Sequence, residues 1–358
     1  MRVLHVVKTV VGATWAYYMV RVQCSLGIEV VVALPSDTEG LAPRYRECGA
    51  RVIPVNLDFP TRQPWRLPAV FQASRELVEQ VKPDLIHTHH VGTTCVLRLA
   101  LGKSSPIPRV FRVAGSLHLE YWPFARAELA LAGPRDYWIA INKSIRNSYL
   151  SLGVPPEAVF LSYTGIDLSL FQGTRTGKLR KELGLPAEMP LVGMVAYVYP
   201  PKYYLGQRRG VKGHEDFFAT LCLVLKQRPD VRAVVVGGPW GNAQVYEKRL
   251  RAMGQKLCGS ALTFTGFRTD VPEIYPDLDV AVLPSLSEGL PKAAAEALLS
   301  GVATVGTNVG GVPDLIRDGE TGWLVPPRNP TALAQAILEV LANPEEARRR
   351  TLQGRKLV

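Results

Sequence analysis

Short β-branched runs alternate with amphipathic stretches along the 358 residues. In the first half the runs read RVLHVV (2–7), EVVVALP (29–35), RVIPV (51–55), DLIHTH (84–89), RVFRVAG (109–115), YWIAIN (137–142) and VFLSY (159–163). Between them, FQASRELVEQV (71–81) and KSIRNSYLSLG (143–153) carry helical periodicity. The second half repeats the alternation with PLVGMVAY, VRAVVVGG, LTFTG, DVAVLPS, VATVGTN and GWLVPP, and with helical patterns over 212–228 and 329–343. Near-continuous apolar strands that alternate with helices predict a parallel sheet covered on both faces. Gly/Thr punctuation replaces strand signal over 163–178. The expectation is therefore two tandem doubly wound α/β domains, 1–168 and 169–358, with ligands bound beyond the carboxyl ends of the strands, in the cleft between the sheets. The final stretch, EEARRRTLQGRKLV, reads as the middle of a helix, so a further C-terminal piece is expected.

Composition narrows the function classes. Apolar residues make up 47% and charged residues 20%, the balance of a globular chain. No apolar run reaches the roughly 18 to 20 residues of a membrane span. The opening MRVLHVVKTVVGATW is broken by Lys8 and Gly12 and has no cleavage motif, so it reads as a first strand entering a turn rather than a signal peptide. Five cysteines, isolated and never spaced C-x-x-C, argue for a reducing compartment and against a disulfide framework or zinc site. The net charge of +11 is spread evenly: residues 1–170 carry 18 basic against 13 acidic side chains, leaving 24 against 18 for the rest. Without a basic run, a nucleic-acid partner is not expected, and an anionic membrane surface fits the charge better.

Candidate chemistry concentrates in SEGLPKAAAEALLSG (287–301), which follows a strand directly. Glu288 falls in the loop, Gly289 lets backbone approach a ligand, and Pro291 suits a first helical turn. A helix starting there points free N–H groups and its positive dipole end at whatever binds, which suits phosphate or a sugar hydroxyl. Glu296 lies two turns in, on the strip of helix surface that also carries Lys292; an i,i+4 ion pair accounts for it equally on local grounds. In IHTHH (86–90), His87 and His89 share one face of a strand, but no nearby acid or thiol completes a ligand set, and no metal site is expected.

The run FTGFRTDVPEIYPDLDVAVLPSLSEGLPKAAAEALLSGVATVGTNVGGVPDLIRDGETGWLVPP (264–327) resembles retaining glycosyltransferases of family 4, the glycogen-synthase-like group with the two-domain GT-B fold. VVVGGP (234–239), GVKGHEDFF (210–218) and YTGIDLSLF (163–171) extend the resemblance over essentially the whole chain. It implies transfer of a sugar from a nucleoside-diphosphate-sugar to an acceptor hydroxyl, with retained anomeric configuration and no metal or other cofactor. Glu296 then matches the glutamate that accepts from the ribose hydroxyls, and Glu288 the one beside the donor sugar. Gly289 and Leu290 supply backbone N–H groups to sugar or phosphate oxygens. Lys212 matches the cation that stabilises the departing diphosphate, where negative charge builds. His118, in VAGSLHLEYWPF, matches a histidine beside the donor sugar, able to donate to a hydroxyl or move a proton. Gly12 keeps one glycine of the family's first turn, and the base packs near Phe267 and Arg268.

One position departs from the family. Tyr197 stands where an arginine is expected to assist the lysine, so Lys202, Arg208 or Arg209 must supply that charge; Lys202 is the first choice, because Pro200 and Pro201 fix its exit from the strand. Asp314 stands where the family has a glutamate and is given no role. Two alternatives stay open: a catalytically silent GT-B homologue that acts as a binding partner, and a nucleotide-sugar epimerase or hydrolase. Expected partners are a nucleotide-sugar donor and a glycan, lipid-linked or small-molecule acceptor. The expected location is the cytoplasm, with peripheral attachment to the inner face of a membrane. Donor base, sugar, acceptor and oligomeric state are not legible.

Overall fold

The computed structural model describes residues 1–171, 174–203 and 206–358. The chain divides into two compact units, Met1–Gly165 and Ile166–Val358, against the expected division at 168/169.

The first unit is built on a seven-stranded parallel sheet. In chain order its strands are β1 (Arg2–Val6), β2 (Glu29–Leu34), β3 (Arg51–Pro54), β4 (Leu85–Thr88), β5 (Arg109–Val113), β6 (Asp136–Ala140) and β7 (Val159–Leu161). They lie side by side as β3-β2-β1-β4-β5-β6-β7. Leu4 and Val6 of β1 and Ile86 of β4 face one core with Leu77 and Val81 from the helix Leu67–Val81. On the opposite face, Val30 and Val32 of β2 pack against Ala16 and Val20 of the helix Thr14–Ser25. Strands buried on both faces explain why their sequences read as unbroken apolar runs rather than as alternation.

The second unit holds a six-stranded parallel sheet with β8 (Leu191–Val195), β9 (Arg232–Val236), β10 (Leu262–Gly266), β11 (Val280–Leu283), β12 (Ala303–Thr307) and β13 (Trp323–Val325). Its order is β10-β9-β8-β11-β12-β13. The helices His214–Gln227 and Pro330–Ala342 cover one face through Phe217, Leu221, Leu333 and Ile337, all at most 2% exposed. Each such side chain contributes roughly 1.5–3 kcal/mol over its exposed state. The expected helices over 71–81, 143–153, 212–228 and 329–343 correspond to Leu67–Val81, Lys143–Ser151, His214–Gln227 and Pro330–Ala342.

Both sheets reverse their strand order once, at β1/β4 and at β8/β11. At such a switch point the connections leave in opposite directions and open a crevice at the carboxyl ends of the two strands.

Buried charge in the first unit is mostly paired. Arg98 Nε donates to Asp136 Oδ1 at 3.0 Å, Arg109 Nη2 to Asp136 Oδ2 at 2.6 Å, and Arg98 Nη1 also binds the Glu128 carboxylate. Replacing one member of such a group strands the others without water or counter-charge, at a cost of about 3–5 kcal/mol.

Candidate active site

The crevice at β8/β11 is held open by two glycines. The turn before the helix His214–Gln227 presses Gly213, at φ 71°, against the end of β11; a Cβ there would lie 1.9 Å from the Pro284 carbonyl oxygen. Gly310, at φ 51°, sits equally close to the Glu288 carbonyl oxygen, again 1.9 Å from a would-be Cβ. Both positions require glycine for space and for the left-handed backbone. Leu286 N donates to Val211 O at 2.7 Å and Gly311 N to Gly289 O at 2.9 Å, so three loops are tied edge to edge.

Those loops bring Lys212 and Glu288 together. Lys212 Nζ lies 2.7 Å from Glu288 Oε1, and Ser285 Oγ donates to the same oxygen at 2.6 Å. Glu288 is 8% exposed, whereas the Lys212 side chain keeps 24% of its surface. Thr307 Oγ1, at the end of β12, donates to Ser285 O at 2.6 Å and fixes the serine in turn. The ensemble is a half-open cation above a buried, doubly hydrogen-bonded carboxylate, at the switch point. Next to Lys212, His214 is 1% exposed; burial first, and then the Lys212 charge, pull its imidazole down to about 3. The imidazole is therefore uncharged at neutral pH.

Glu296 lies in the helix Lys292–Leu299, for which Pro291 is the N-cap rather than the first helical residue. Tyr275, 1% exposed, holds its hydroxyl 3.1 Å from Ala293 O and 3.3 Å from Glu296 Oε2. Burial raises the Glu296 carboxyl, while Lys292 and the Tyr275 hydroxyl act against that rise. Gly289 and Leu290 are half-buried in the loop between the two glutamates.

At the ends of β8, β9 and β10 four aromatic rings gather. Tyr197 packs edge-on against Trp240 at 5.0 Å between centroids and parallel to Phe267 at 6.0 Å; Tyr199 meets Trp240 at 6.0 Å. Phe267 is 62% exposed. Thus Tyr197 does not merely lack the arginine's charge; it builds a flat apolar surface in its place. Arg268 is committed elsewhere, with Nη1 2.6 Å from Glu182 Oε1 and Nη2 2.8 Å from Asp270 Oδ2. Hydrogen bonds to those carboxylates push its guanidinium up, so it stays charged and already neutralised. Of the substitutes for the expected arginine, Arg209 binds the Asp216 carboxylate and Arg208 is exposed. Lys202 is half-buried, and its backbone N–H donates to Gln207 Oε1 at 3.0 Å. Tyr204 and Leu205 of that loop lie outside the described residues.

In the first unit Gly12 adopts φ 81° in the turn after β1. His118 follows β5, with Nε2 3.0 Å from Tyr149 Oη and its ring 5.8 Å from that of Phe111. Burial, and then Arg98, bring its pKa down to about 4. Tyr149 in turn donates to Glu128 Oε2 at 3.2 Å, which connects His118 to the buried charge network. The sequence offered no third ligand for His87 and His89; the structure sets His5 of β1 beside them, and the three ring nitrogens lie within 4.8 Å of one another. His5 Nδ1 and His89 Nε2 are 2.9 Å apart with rings 19° from parallel, the geometry of an N–H···N hydrogen bond rather than of lone pairs converging on one ion.

Two doubly wound parallel sheets, each with its switch-point crevice, define the architecture of the GT-B glycosyltransferases. HepE of Anabaena, solved in complex with UDP-glucose, superposes with a TM-score of 0.79 over 100% of this chain and 94% of its own, at 20% identity. Sucrose-phosphate synthase of Thermosynechococcus elongatus gives 0.78 over the same shares, at 21% identity. Residues 12–170 match the family described as Glycosyltransferase Family 4, and residues 203–343 the one described as Glycosyl transferases group 1. The chain belongs to glycosyltransferase family 4. A D-inositol 3-phosphate glycosyltransferase of Acidothermus cellulolyticus is 26% identical over 72% of this chain and 59% of its own length. A putative colanic acid biosynthesis glycosyltransferase of Salmonella typhimurium is 32% identical over 57% and 47%. The chain thus spans about half the length of the curated relatives it matches.

Proposed function

We propose that this protein is a retaining, metal-independent glycosyltransferase that moves a sugar from a nucleoside-diphosphate-sugar to an acceptor hydroxyl. The observation that carries the reading is the Lys212–Glu288 pair at the β8/β11 crevice, 2.7 Å apart and set by three tied loops. A departing diphosphate gathers negative charge, and a fixed ammonium in a poorly hydrated site stabilises it without reorganisation. Glu288, already holding Ser285 and Lys212, orients rather than attacks; its second oxygen is available to a sugar hydroxyl. Glu296, braced by Tyr275, accepts from the ribose hydroxyls, and Gly289 and Leu290 offer backbone donors. The base rests on the surface formed by Tyr197 and Phe267, with backbone at Arg268 beside it. Lys202 supplies the second positive charge. In the first unit Gly12 keeps the role the resemblance implies, and neutral His118, whose Nε2–H is spent on Tyr149 Oη, offers Nδ1 as an acceptor to a sugar hydroxyl.

The UDP and UDP-glucose bound by HepE support a nucleotide-sugar as donor class. The test is donor turnover followed by NMR: release of free sugar or transfer to an acceptor, with the anomeric proton read in the first product. An α-linked donor that gives a β-linked first product contradicts retention. Turnover should survive excess EDTA; loss restored by a divalent ion contradicts metal independence. For location, no helix among the described residues is long and apolar enough to cross a membrane. The cysteines, isolated along the chain, and the supply of nucleotide-sugars favour cytoplasmic residence, and the +11 charge favours peripheral binding to an anionic surface that presents a lipid-linked acceptor. Equal sedimentation with neutral and anionic vesicles contradicts that attachment.

A further inference from the structure

Four of the five cysteines, scattered along the chain, meet as pairs in the fold, one pair in each unit. In the second unit Cys222 lies in the helix His214–Gln227, and Cys258 ends the helix Gln244–Cys258. Cys222 Sγ donates to Leu257 O at 3.3 Å, and Cys258 Sγ to Phe218 O at 3.6 Å. Leu257 directly precedes Cys258, and Phe218 lies one turn before Cys222 on the same strip of helix. Each thiol therefore rests on the backbone that carries the other, and the two side chains are in hydrogen-bond contact.

The first unit repeats the arrangement. Tyr17 of the helix Thr14–Ser25 packs edge-on against Tyr45 of the helix Ala42–Glu47, at 5.7 Å between centroids. The Arg44 guanidinium lies 4.4 Å from the Tyr17 ring. Cys24 follows Tyr17 by two turns on the same strip, and Cys48 follows Arg44 by one. The helix–helix contact thus runs on to these two thiols, which are again in hydrogen-bond contact. Cys24, Cys48 and Cys222 are half-buried and Cys258 is buried, so each pair offers at least one sulfur to a small solute. The fifth cysteine, Cys95 on the helix Val91–Leu101, sits beside Glu128 and Arg98 instead.

Burial, and then the neighbouring thiol, push Cys24 up to about 11 and Cys258 up to about 12. Both stay protonated at neutral pH, so their first reaction is slow and quickens as pH rises. The second is fast, because the partner sulfur is already in place.

We propose that Cys24–Cys48 and Cys222–Cys258 are oxidative modification sites, each of which closes into a disulfide within its folded unit when a hydroperoxide is supplied. One thiolate attacks a peroxide oxygen, the O–O bond breaks, and a sulfenic acid and hydroxide form. The partner sulfur then attacks the sulfenic sulfur, the S–O bond breaks, and water leaves. Two electrons pass from the sulfurs to the peroxide, and both thiol hydrogens end in water. In a reducing compartment both pairs remain thiols, so their isolation along the chain and their meeting in space are compatible. The proposal does not rest on the glycosyltransferase reading, since neither pair includes a residue assigned to the donor.

The experiment treats the full reduced chain with hydrogen peroxide at mildly alkaline pH, alkylates the remaining thiols in denaturant, and maps linked peptides by mass spectrometry without reductant. The expected result is two links, Cys24–Cys48 and Cys222–Cys258, both reversed by dithiothreitol. Each bond closes a long loop in the unfolded chain, so the oxidised protein should melt roughly 5–15 °C above the reduced one. Cys222→Ala should keep the first link and leave Cys258 unlinked, and Cys24→Ala should do the converse. Five free thiols after an exposure that oxidises free glutathione overturn the proposal. So do links to Cys95 or between chains, a lower Tm on oxidation, or a link pattern no more selective than that of the urea-unfolded chain. Closure of one pair alone refutes the assignment of the other.

Discussion

Breaking the Lys212–Glu288 pair from its two sides should give unequal losses. At an effective dielectric of about 20, two unit charges 2.7 Å apart attract by roughly 6 kcal/mol. Desolvation of Glu288, which is 8% exposed, and ordering of the lysine stem cancel much of that. Lys212→Met leaves the carboxylate with only the Ser285 hydroxyl, a stranded buried anion, and should cost about 2–3 kcal/mol. In a cooperative unit of this size that is a Tm drop of roughly 4–12 °C. Glu288→Gln keeps an acceptor for Ser285 and leaves Lys212 partly in water, so about 1 kcal/mol is expected. The double variant should be less damaged than the sum, with a coupling of about 1–2 kcal/mol. Urea unfolding of the four proteins, followed by tryptophan fluorescence, measures the cycle. Equal losses from the two single variants, or additivity within about 0.3 kcal/mol, refute the reasoning.

Other consequences follow from the same loops. His214 is neutral in the folded chain, so the unfolded chain binds its proton first as pH falls below about 6.5; stability is intact above that value and is lost toward pH 4, by up to about 1.4 kcal/mol per pH unit from this group. The difference in acid sensitivity between wild type and His214→Gln isolates that slope, and parallel pH curves contradict it. Gly310→Ala puts a Cβ against the Glu288 carbonyl at a positive φ, and should cost at least about 2 kcal/mol while displacing the loop that carries Glu288; a wild-type Tm with full donor turnover would show the contact to be soft. Gly27→Ala has open space around its Cβ and serves as the control, with only the cost of its positive φ, about 1 kcal/mol.

Much of the architecture was readable because parallel strands buried on both faces leave an unmistakable apolar signature, as in RAVVV of β9 and VAVL of β11. The glutamates and Lys212 were readable because their spacing and flanking residues resemble a family. What pins them was not. Ser285 and Tyr275 both lie within the resembling run 264–327, yet nothing in the order of residues says which hydroxyl meets which carboxylate. The Tyr197 surface was visible only as a missing arginine; Trp240 and Phe267 reach it from other strands. Charge pairing is the least legible layer. Arg98, Arg109 and Arg112 look alike in the chain, and only the fold shows that Asp136 serves two of them while the third meets the Thr164 hydroxyl and no carboxylate among the described residues.

The central claim is that the second unit binds a nucleoside diphosphate through the loops carrying Lys212, Glu288 and Glu296. Its most direct test is the melting temperature of wild type and Glu296→Ala against UDP, GDP, ADP, dTDP and their sugar conjugates, since a ligand that binds only the folded state stabilises it by mass action. Stabilisation by one nucleotide family, weakened at least about tenfold in apparent affinity in the variant, is the result predicted. Stabilisation by none of them in wild type, or an identical response in Glu296→Ala, contradicts it.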